Sequence, residues 1–246
     1  MSFKTSLYPN NRNEKGLVRP LSVSEKPLPL KGVLCAVKKD FDFLRQKLSL
    51  KARGFGFLMS HVYFDDFCFI AGPYFGSPYA CALLESLKES GAENILCIGW
   101  CGSLDSGLNF GDIIIPSSFE NEDSTYQTYI LENEDLDFNS PFRKQIKKSL
   151  TENSIFFREE KVWTTNSIFR ETKKKADFFK NRGAVCVEME NSALYYAANF
   201  LNINLICINI VSDLVSEGKW IKGFKSKEFN NSRKKIINWA IDYVKN

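Results

Sequence analysis

The chain has 246 residues, of which 44% are hydrophobic and 25% charged. This is the composition of a globular protein with a sizeable core, and it excludes disordered, collagen-like and coiled-coil chains. The 33 Lys and Arg residues against 29 Asp and Glu residues give a net charge of +4. That charge is too small and too evenly spread for a nucleic-acid-binding surface. We therefore expect a small molecule or another subunit as partner, and no nucleic acid.

Residues 1–30 are polar and interrupted by prolines. We expect them to form a mobile tail, or an arm that lies across a neighbouring subunit. They contain no apolar run long enough for the core of a signal peptide, and no later stretch approaches the length needed to span a bilayer. We therefore expect a cytoplasmic protein without membrane contact, in which residues 31–246 form one domain.

From Gly32 onward, apolar β-rich runs alternate with helical patterns, which predicts an α/β domain with a mainly parallel sheet flanked by helices. The polar stretch 120–160 is expected to carry loops and a peripheral helix. In chain order, the predicted elements are a strand at 33–37, a helix at 41–50, strands at 67–71 and 95–99 with a helix at 78–90 between them, a strand at 112–116, a helix at 142–150, a strand at 184–187, a helix at 191–200, a strand at 205–211 and a helix at 226–244.

The helix at 78–90 carries the clearest boundary signals. Ser77 can cap its beginning, Pro78 suits its first turn and Gly91 marks its end.

The seven cysteines form no Cys-x-x-Cys pair and lie mostly in apolar runs, which is typical of reduced, buried thiols in a cytoplasmic protein. The one histidine, His61, is far in sequence from Cys97 and Cys101. Because a zinc site needs a cluster of such ligands, we expect no metal.

Ligands of open α/β sheets bind beyond the carboxyl ends of the strands. After the strand at 95–99 the chain reads Gly99-Trp100-Cys101-Gly102. Glycines there let backbone N–H groups approach a ligand closely, although a tight turn explains them equally. We count all four as candidate substrate-binding residues.

Charged residues follow two further strands. Glu188 and Glu190 flank Met189, and a carboxylate there can accept two hydrogen bonds from vicinal ribose hydroxyls; acidic residues at a helix N-terminus are the alternative. Ser212 and Asp213 follow the strand at 205–211. Asp213 with a raised pKa can protonate a leaving base, or it can simply cap the next segment.

Four stretches together resemble the superfamily of purine nucleoside and uridine phosphorylases, which includes the methylthioadenosine/adenosylhomocysteine nucleosidases. They read GPYFGSPYACALLESLKESGAENIL, IGWCGSLDSGLNFGDIIIPSS, GAVCVEMENSALYYAANF and VSD. The resemblance implies a mixed, partly barrel-like sheet surrounded by helices and a homo-oligomer. It also implies cleavage of a nucleoside N-glycosidic bond, with the ribosyl group passing to phosphate or water and no cofactor other than phosphate as a possible co-substrate.

Carried over by motif position, Glu190 would bind the ribose hydroxyls and Met189 would pack beneath the sugar. Asp213 would protonate, or hydrogen-bond, a purine at its imidazole nitrogen. Phe169 lies where the family stacks an aromatic ring on the base, although it could also be a core residue. The Gln and Arg that read a pyrimidine are not visible at 156–170, so the resemblance favours a purine.

The acceptor side departs from the family pattern. Cys97 and Trp100 stand where phosphorylases have an arginine and a Ser or Thr. Arg53 resembles the arginine that family hexamers donate to a neighbour's phosphate, whereas Asp40 falls at the place of the water-activating acid of the nucleosidases.

The expected activity is phosphorolysis of a purine nucleoside to free base and ribose 1-phosphate. Hydrolysis, with Asp40 as the second catalytic residue, and nucleoside binding without catalysis are the alternatives. Candidates to pair with Asp213 are Arg170, Lys222 and Arg233.

Overall fold

The computed structural model describes residues 10–50, 52–54, 57–131, 134–216 and 219–245. Within these ranges the chain forms six α-helices and ten strands. The strands are β1 (Lys31–Cys35), β2 (Ala52–Arg53), β3 (His61–Phe64), β4 (Phe69–Gly72), β5 (Asn94–Ser103), β6 (Ile113–Asn121), β7 (Arg158–Thr164), β8 (Ala184–Glu188), β9 (Asn204–Ser216) and β10 (Lys219–Lys222). The helices are α1 (Lys38–Leu48), α2 (Ser77–Glu89), α3 (Pro141–Glu152), α4 (Lys173–Asn181), α5 (Asn191–Leu201) and α6 (Lys227–Lys245).

All ten strands belong to one mixed sheet in the order β10-β9-β6-β7-β8-β5-β1-β4-β3-β2. An additional parallel pairing joins β9 to β5, so that β9, β6, β7, β8 and β5 close into a barrel-like ring. The strands β4, β1, β5 and β9 run parallel to one another, and their carboxyl ends therefore meet at one edge. The α/β class and the partly barrel-like sheet are confirmed.

Helices cover both faces of the sheet because each presents one apolar stripe to it. On one face α2 and α5 bury Leu83, Leu87 and Leu194. On the other face, buried side chains of α1, α3 and α6 pack together, among them Phe41 and Ile236. Each such side chain contributes roughly 1.5–3 kcal/mol when fully buried.

The polar stretch 120–160 differs from the prediction, because it ends in β7, an inner strand between β6 and β8. Only the last three residues of β7, Val162, Trp163 and Thr164, are buried, and its charged first half gives no strand pattern. Helix α4 is likewise absent from the predicted elements.

The capping interpretation of Ser77 is wrong. Ser77 is the first residue of α2, and its hydroxyl donates a hydrogen bond to the carbonyl oxygen of Met189 at 2.9 Å rather than capping the helix.

Parts of the segment 10–30 pack against the rest of the chain, while Leu17 and Val18 are exposed. Val23 and Leu28 are buried in the core cluster, and the Leu28 N–H donates to the Ser90 carbonyl at 2.7 Å. The side chain of Asn10 donates to the Ile130 carbonyl at 3.0 Å. The boundary at residue 31 and the behaviour of residues 1–9, which lie outside the described residues, stay predictions. Nowhere in the described ranges is a helix both long and apolar enough to cross a membrane.

Candidate active site

A cavity of about 450 Å³ opens at the carboxyl ends of β5, β8 and β9, within the size range of small-molecule sites. Loops after β1 and β4 complete its wall with Ala36, Val37, Tyr74 and Phe75. The predicted residues that line it are Gly99, Trp100, Cys101, Gly102, Phe169, Glu188, Met189, Glu190, Ser212 and Asp213. Three strand ends that are distant in sequence thus bring nine of the twelve predicted site residues together, and Phe169 joins them from the segment before α4.

Two carboxylates leave the end of β8 in different environments. Glu188 accepts hydrogen bonds from Thr164 Oγ1 at 2.5 Å and from the backbone N–H groups of Glu190 and Asn191 at 2.7 and 2.6 Å. It also accepts from the side-chain amide of Asn191. Glu188 therefore uses its hydrogen-bond acceptors to hold the start of α5. This arrangement supports the structural alternative for Glu188 rather than direct substrate contact.

Glu190 is the carboxylate that is available to a ligand. Its Oε1 accepts from the backbone N–H of Gly76 at 2.6 Å, and Gly76 reaches this position with a φ of +81°, where a side chain would be strained. Enclosure in the cavity raises the pKa of Glu190, and repulsion by Glu188 raises it further. Burial also raises the pKa of Glu188 to about 7, although its four hydrogen-bond donors oppose the rise.

Asp213 lies beside Gly102 because β9 carries an irregularity. Opposite the step from Cys101 to Gly102, β9 advances from Val211 to Asp213, so Ser212 is the extra residue of a bulge. Bulges of this kind re-aim side chains next to active sites. Asp213 accepts hydrogen bonds from Ser212 Oγ at 2.5 Å and from Trp220 Nε1 at 2.8 Å. Burial raises the pKa of Asp213, while these two donors partly oppose the rise.

The structure does not bring Asp40 into the cavity. Asp40 is fully buried on α1, forms an ion pair with Arg233 of α6 and accepts a hydrogen bond from Trp100 Nε1 at 2.7 Å. The Trp100 indole therefore separates it from the cavity. Arg233, a predicted partner of Asp213, pairs with Asp40 instead. Burial raises the pKa of Asp40, while Arg233 and Trp100 oppose the rise.

The side chain of Arg53 lies outside the described residues; only its backbone, paired with Tyr63 between β2 and β3, is described. Its expected role at a phosphate stays a prediction.

The segment 168–171, just before α4, lies at the opening of the cavity. Phe169 is 96% exposed and lines the cavity beside Ile168, so it is not a core residue. Glu171 also lines the cavity, and burial together with the nearby Asp213 charge raises its pKa to about 7. Sequence reasoning missed Glu171, although its place two residues after Phe169 was a usable signal.

Other lining residues were not predicted as part of the site either, among them Asn209, Tyr74, Trp220 and Phe224. Asn209 stands inside the apolar run of β9, where a polar residue is itself a signal. Tyr74, Trp220 and Phe224 come from loops and an edge strand that carry no comparable pattern.

The cavity has an acidic lining. Four carboxyl groups line it, from Glu171, Glu188, Glu190 and Asp213, and none of its described lining residues is Lys, Arg or His. In the part of the chain that the structure describes, no group of three or more His, Cys, Asp or Glu residues could hold a metal ion.

Two solved structures share this fold. Purine nucleoside phosphorylase from Toxoplasma gondii, in complex with immucillin-H, superposes with a TM-score of 0.74 over 94% of this chain and 97% of that one. AMP nucleosidase from Bacteroides thetaiotaomicron superposes with a TM-score of 0.71 over 88% and 89%. Both are 14% identical in sequence, which establishes likeness of fold.

The model of the phosphorylase superfamily matches residues 32–242. The chain therefore belongs to this superfamily of nucleoside phosphorylases and nucleosidases, and the resemblance found in its sequence is confirmed.

Two curated relatives share slightly more than a quarter of their aligned residues with this chain. The uncharacterized protein R802 of Acanthamoeba polyphaga mimivirus is 27% identical over 204 residues, covering 78% of this chain and 80% of that protein. A DeoD-type purine nucleoside phosphorylase of Brevibacillus brevis is 28% identical over 142 residues, covering 55% of this chain and 58% of that protein.

Proposed function

We propose that this protein cleaves the N-glycosidic bond of a purine nucleoside and transfers the ribosyl group to water. The observation that carries the proposal is the convergence of Glu190, Met189 and Asp213 on one cavity. A carboxylate for the sugar and a carboxylic acid for the base are the two groups that such a cleavage needs.

Asp213 serves the leaving base. Its raised pKa keeps a larger fraction of the carboxyl protonated near neutral pH than in an ordinary aspartate. Transfer of that proton to the imidazole nitrogen of the purine lets the base leave as a neutral molecule. The electron pair of the glycosidic bond departs with the base, so positive charge develops on the sugar.

Glu190 and Met189 serve the ribose. The carboxylate oxygens of Glu190 accept hydrogen bonds from the vicinal hydroxyls, while Met189 supplies an apolar surface beneath the ring. The acidic cavity also stabilises the positive charge of the oxocarbenium-like transition state, because that charge is absent from the bound nucleoside.

The charge of the cavity favours water over phosphate as the acceptor of the ribosyl group. Phosphate is an anion, and its burial beside four carboxyl groups without a cation is strongly unfavourable. The described lining offers no such cation, and Trp100 and Cys97 occupy the acceptor side instead. Water carries no charge, so it reaches the sugar without that penalty. Its oxygen forms the new bond to the anomeric carbon, and the proton that it loses passes to solvent water.

Phosphorolysis is the second candidate, and the DeoD-type relatives favour it. It requires that a cation reach the cavity from Arg53 or from another subunit. We propose a homo-oligomer for this protein, since Phe169 and Phe75 are 96% and 62% exposed at the cavity mouth. Light scattering on the purified protein measures the number of subunits.

A panel of purine and pyrimidine nucleosides tests the proposal, with free base followed by chromatography and sugar phosphate by phosphorus NMR. We expect release of purines in phosphate-free buffer, with free ribose as the second product. Release that requires phosphate and yields ribose 1-phosphate would establish the second candidate. Saturable binding without release of any base would indicate a nucleoside-binding protein and overturn both.

A further inference from the structure

Trp220 holds one oxygen of Asp213. It lies on β10, which pairs antiparallel with the end of β9, and its Nε1–H donates to Asp213 Oδ2 at 2.8 Å. Ser212 Oγ holds the other oxygen, Oδ1, at 2.5 Å. Both oxygens of Asp213 are therefore fixed by neutral donors.

We propose that Trp220 is the positioning residue of Asp213, orienting its carboxyl group toward the base through the indole N–H. The inference rests on the proposed function, in which Asp213 is the acid. Trp220 lines the same cavity as Asp213. It can therefore orient the carboxyl group by direct contact, without any rearrangement of the sheet.

A neutral hydrogen-bond donor beside a catalytic acid keeps the acid protonated more readily than a cation does. An Arg or Lys at this place would favour the charged carboxylate strongly, whereas an indole N–H favours it less and still fixes its direction. Among the described residues no Lys or Arg forms a salt bridge with Asp213 within 4.0 Å, and the predicted partner Arg233 is engaged by Asp40. Trp220 thus orients Asp213 while leaving its proton available.

Three titratable groups lie near this pair, on three different segments of the chain. Glu171 faces Asp213 from the segment before α4, and the two charges repel each other. The Cys101 thiol faces it from β5 and is neutral, because a hydrogen bond with Cys186, together with burial, raises its pKa. On β10, the Lys222 ammonium lies over the Trp220 ring at 4.4 Å from its centroid. A cation over the ring draws electron density from the indole and strengthens its N–H as a donor.

Nitrogen-15 NMR of the full chain tests the contact without requiring activity. The chain has four tryptophans, and Trp220→Phe, which keeps an aromatic ring but removes the N–H, assigns the Trp220 indole signal. We expect that signal to move with pH as Asp213 titrates, and the movement to vanish in Asp213→Asn. The Trp239 indole, which donates to Ser149 Oγ at 3.1 Å, is the internal control and should stay in place. A Trp220 signal that is stationary, or that moves equally in Asp213→Asn, would overturn the inference.

Kinetics supply the second test, with Trp239→Phe as matched control because it also loses an indole hydrogen bond. In Trp220→Phe the pKa that limits kcat at high pH should rise by about one unit, since one donor to the charged carboxylate is lost. The plateau of kcat should fall about tenfold while KM changes less than about twofold, because positioning is lost rather than binding. Trp239→Phe should change neither quantity.

The two tests separate the inference from the function on which it rests. If the wild-type protein releases purine but Trp220→Phe keeps the wild-type pH profile, the positioning role is overturned and the function stands. If the wild-type protein cleaves no nucleoside, the proposed function fails, and the NMR titration alone decides whether Trp220 governs Asp213. All four residues of β10 are exposed, so Trp220→Phe leaves the core packing intact.

Discussion

The indole N–H of Trp100 donates a hydrogen bond to Oδ2 of Asp40 at 2.7 Å, across the boundary between the cavity wall and the core. Arg233 holds the other oxygen of Asp40, and both members of this ion pair are at least 95% buried at the side chain. Trp100 also meets Phe229 edge-on, with ring centroids 4.9 Å apart. One wall of the cavity is thus formed by an aromatic ring that a buried ion pair holds in place.

Asp40→Asn is therefore expected to destabilise the protein by about 3–5 kcal/mol, because it leaves the charge of Arg233 buried without a partner. Urea unfolding measures the loss. Asp42→Asn on the same helix is the control, since Asp42 pairs with Lys38 at an exposed site and should change stability by less than about 1 kcal/mol. Equal stability of Asp40→Asn and the wild type would contradict the structural role of Asp40.

Glu190→Gln is expected to lower kcat/KM by about 10²-fold, because the amide keeps one acceptor oxygen and replaces the other with an N–H₂ donor, so its two terminal atoms cannot both accept from the vicinal hydroxyls. The variant should also discriminate less between a ribonucleoside and its 2′-deoxy analogue than the wild type does. Comparing the two substrates in both proteins isolates the hydroxyl contact. Glu152→Gln, at an exposed ion pair of α3, should behave as the wild type. Undiminished discrimination in Glu190→Gln would remove Glu190 from the ribose site.

The buried acids make stability depend on pH. The pKa of Glu190 is raised by burial from 4.5 to about 8, so the folded state binds a proton more tightly than the unfolded state does. The corresponding stability is complete below pH 4.5 and is lost as the pH rises toward 8. We expect the free energy of unfolding to fall by more than about 1 kcal/mol between pH 5 and pH 8. In Glu190→Gln this fall should be smaller, and an equal fall in both proteins would contradict the assignment.

Gly102→Ala tests how tightly the acid is placed. A Cβ at residue 102 would lie 2.9 Å from Val215 Cγ2 and 3.2 Å from Asp213 Oδ2, so one of these groups must shift. Because a 1 Å displacement of a reacting group can cost about 10²-fold in rate, we expect kcat to fall by at least about tenfold. Gly107→Ala, where the nearest atom to the new Cβ is an Asp105 carboxylate oxygen at 3.4 Å, should retain wild-type kcat. Equal rates in the two variants would show that Asp213 tolerates displacement.

Much of the fold could be predicted because its central strands are buried. The apolar runs at 95–99 and 205–211 lie within β5 and β9, and the candidate residues follow them directly. Glu190 and Asp213 were found for the same reason, since a charged residue after a buried strand needs a ligand or a partner. Strand β7 was missed because its first half faces solvent and therefore carries charges.

The contacts that tune the site could not be predicted. Asp40 and Arg233 are 193 residues apart in the chain, and only the packing of α1 against α6 brings them together. Trp220 reaches Asp213 from an exposed edge strand without apolar periodicity. Sequence position located the carboxylates, but the partners of each carboxylate follow from tertiary structure.

Base release by Asp213→Asn tests most directly whether Asp213 is the acid that protonates the leaving base. Wild type and variant are compared with one purine nucleoside in phosphate-free buffer, together with the nucleoside Kd of each protein. Asp177→Asn, at an exposed ion pair of α4, serves as control. We expect kcat to fall by about 10²–10⁴-fold in Asp213→Asn, because the acid for the leaving base is lost, while Kd changes by only a few-fold. Equal release of the purine by Asp213→Asn and the wild type would show that Asp213 is not the acid.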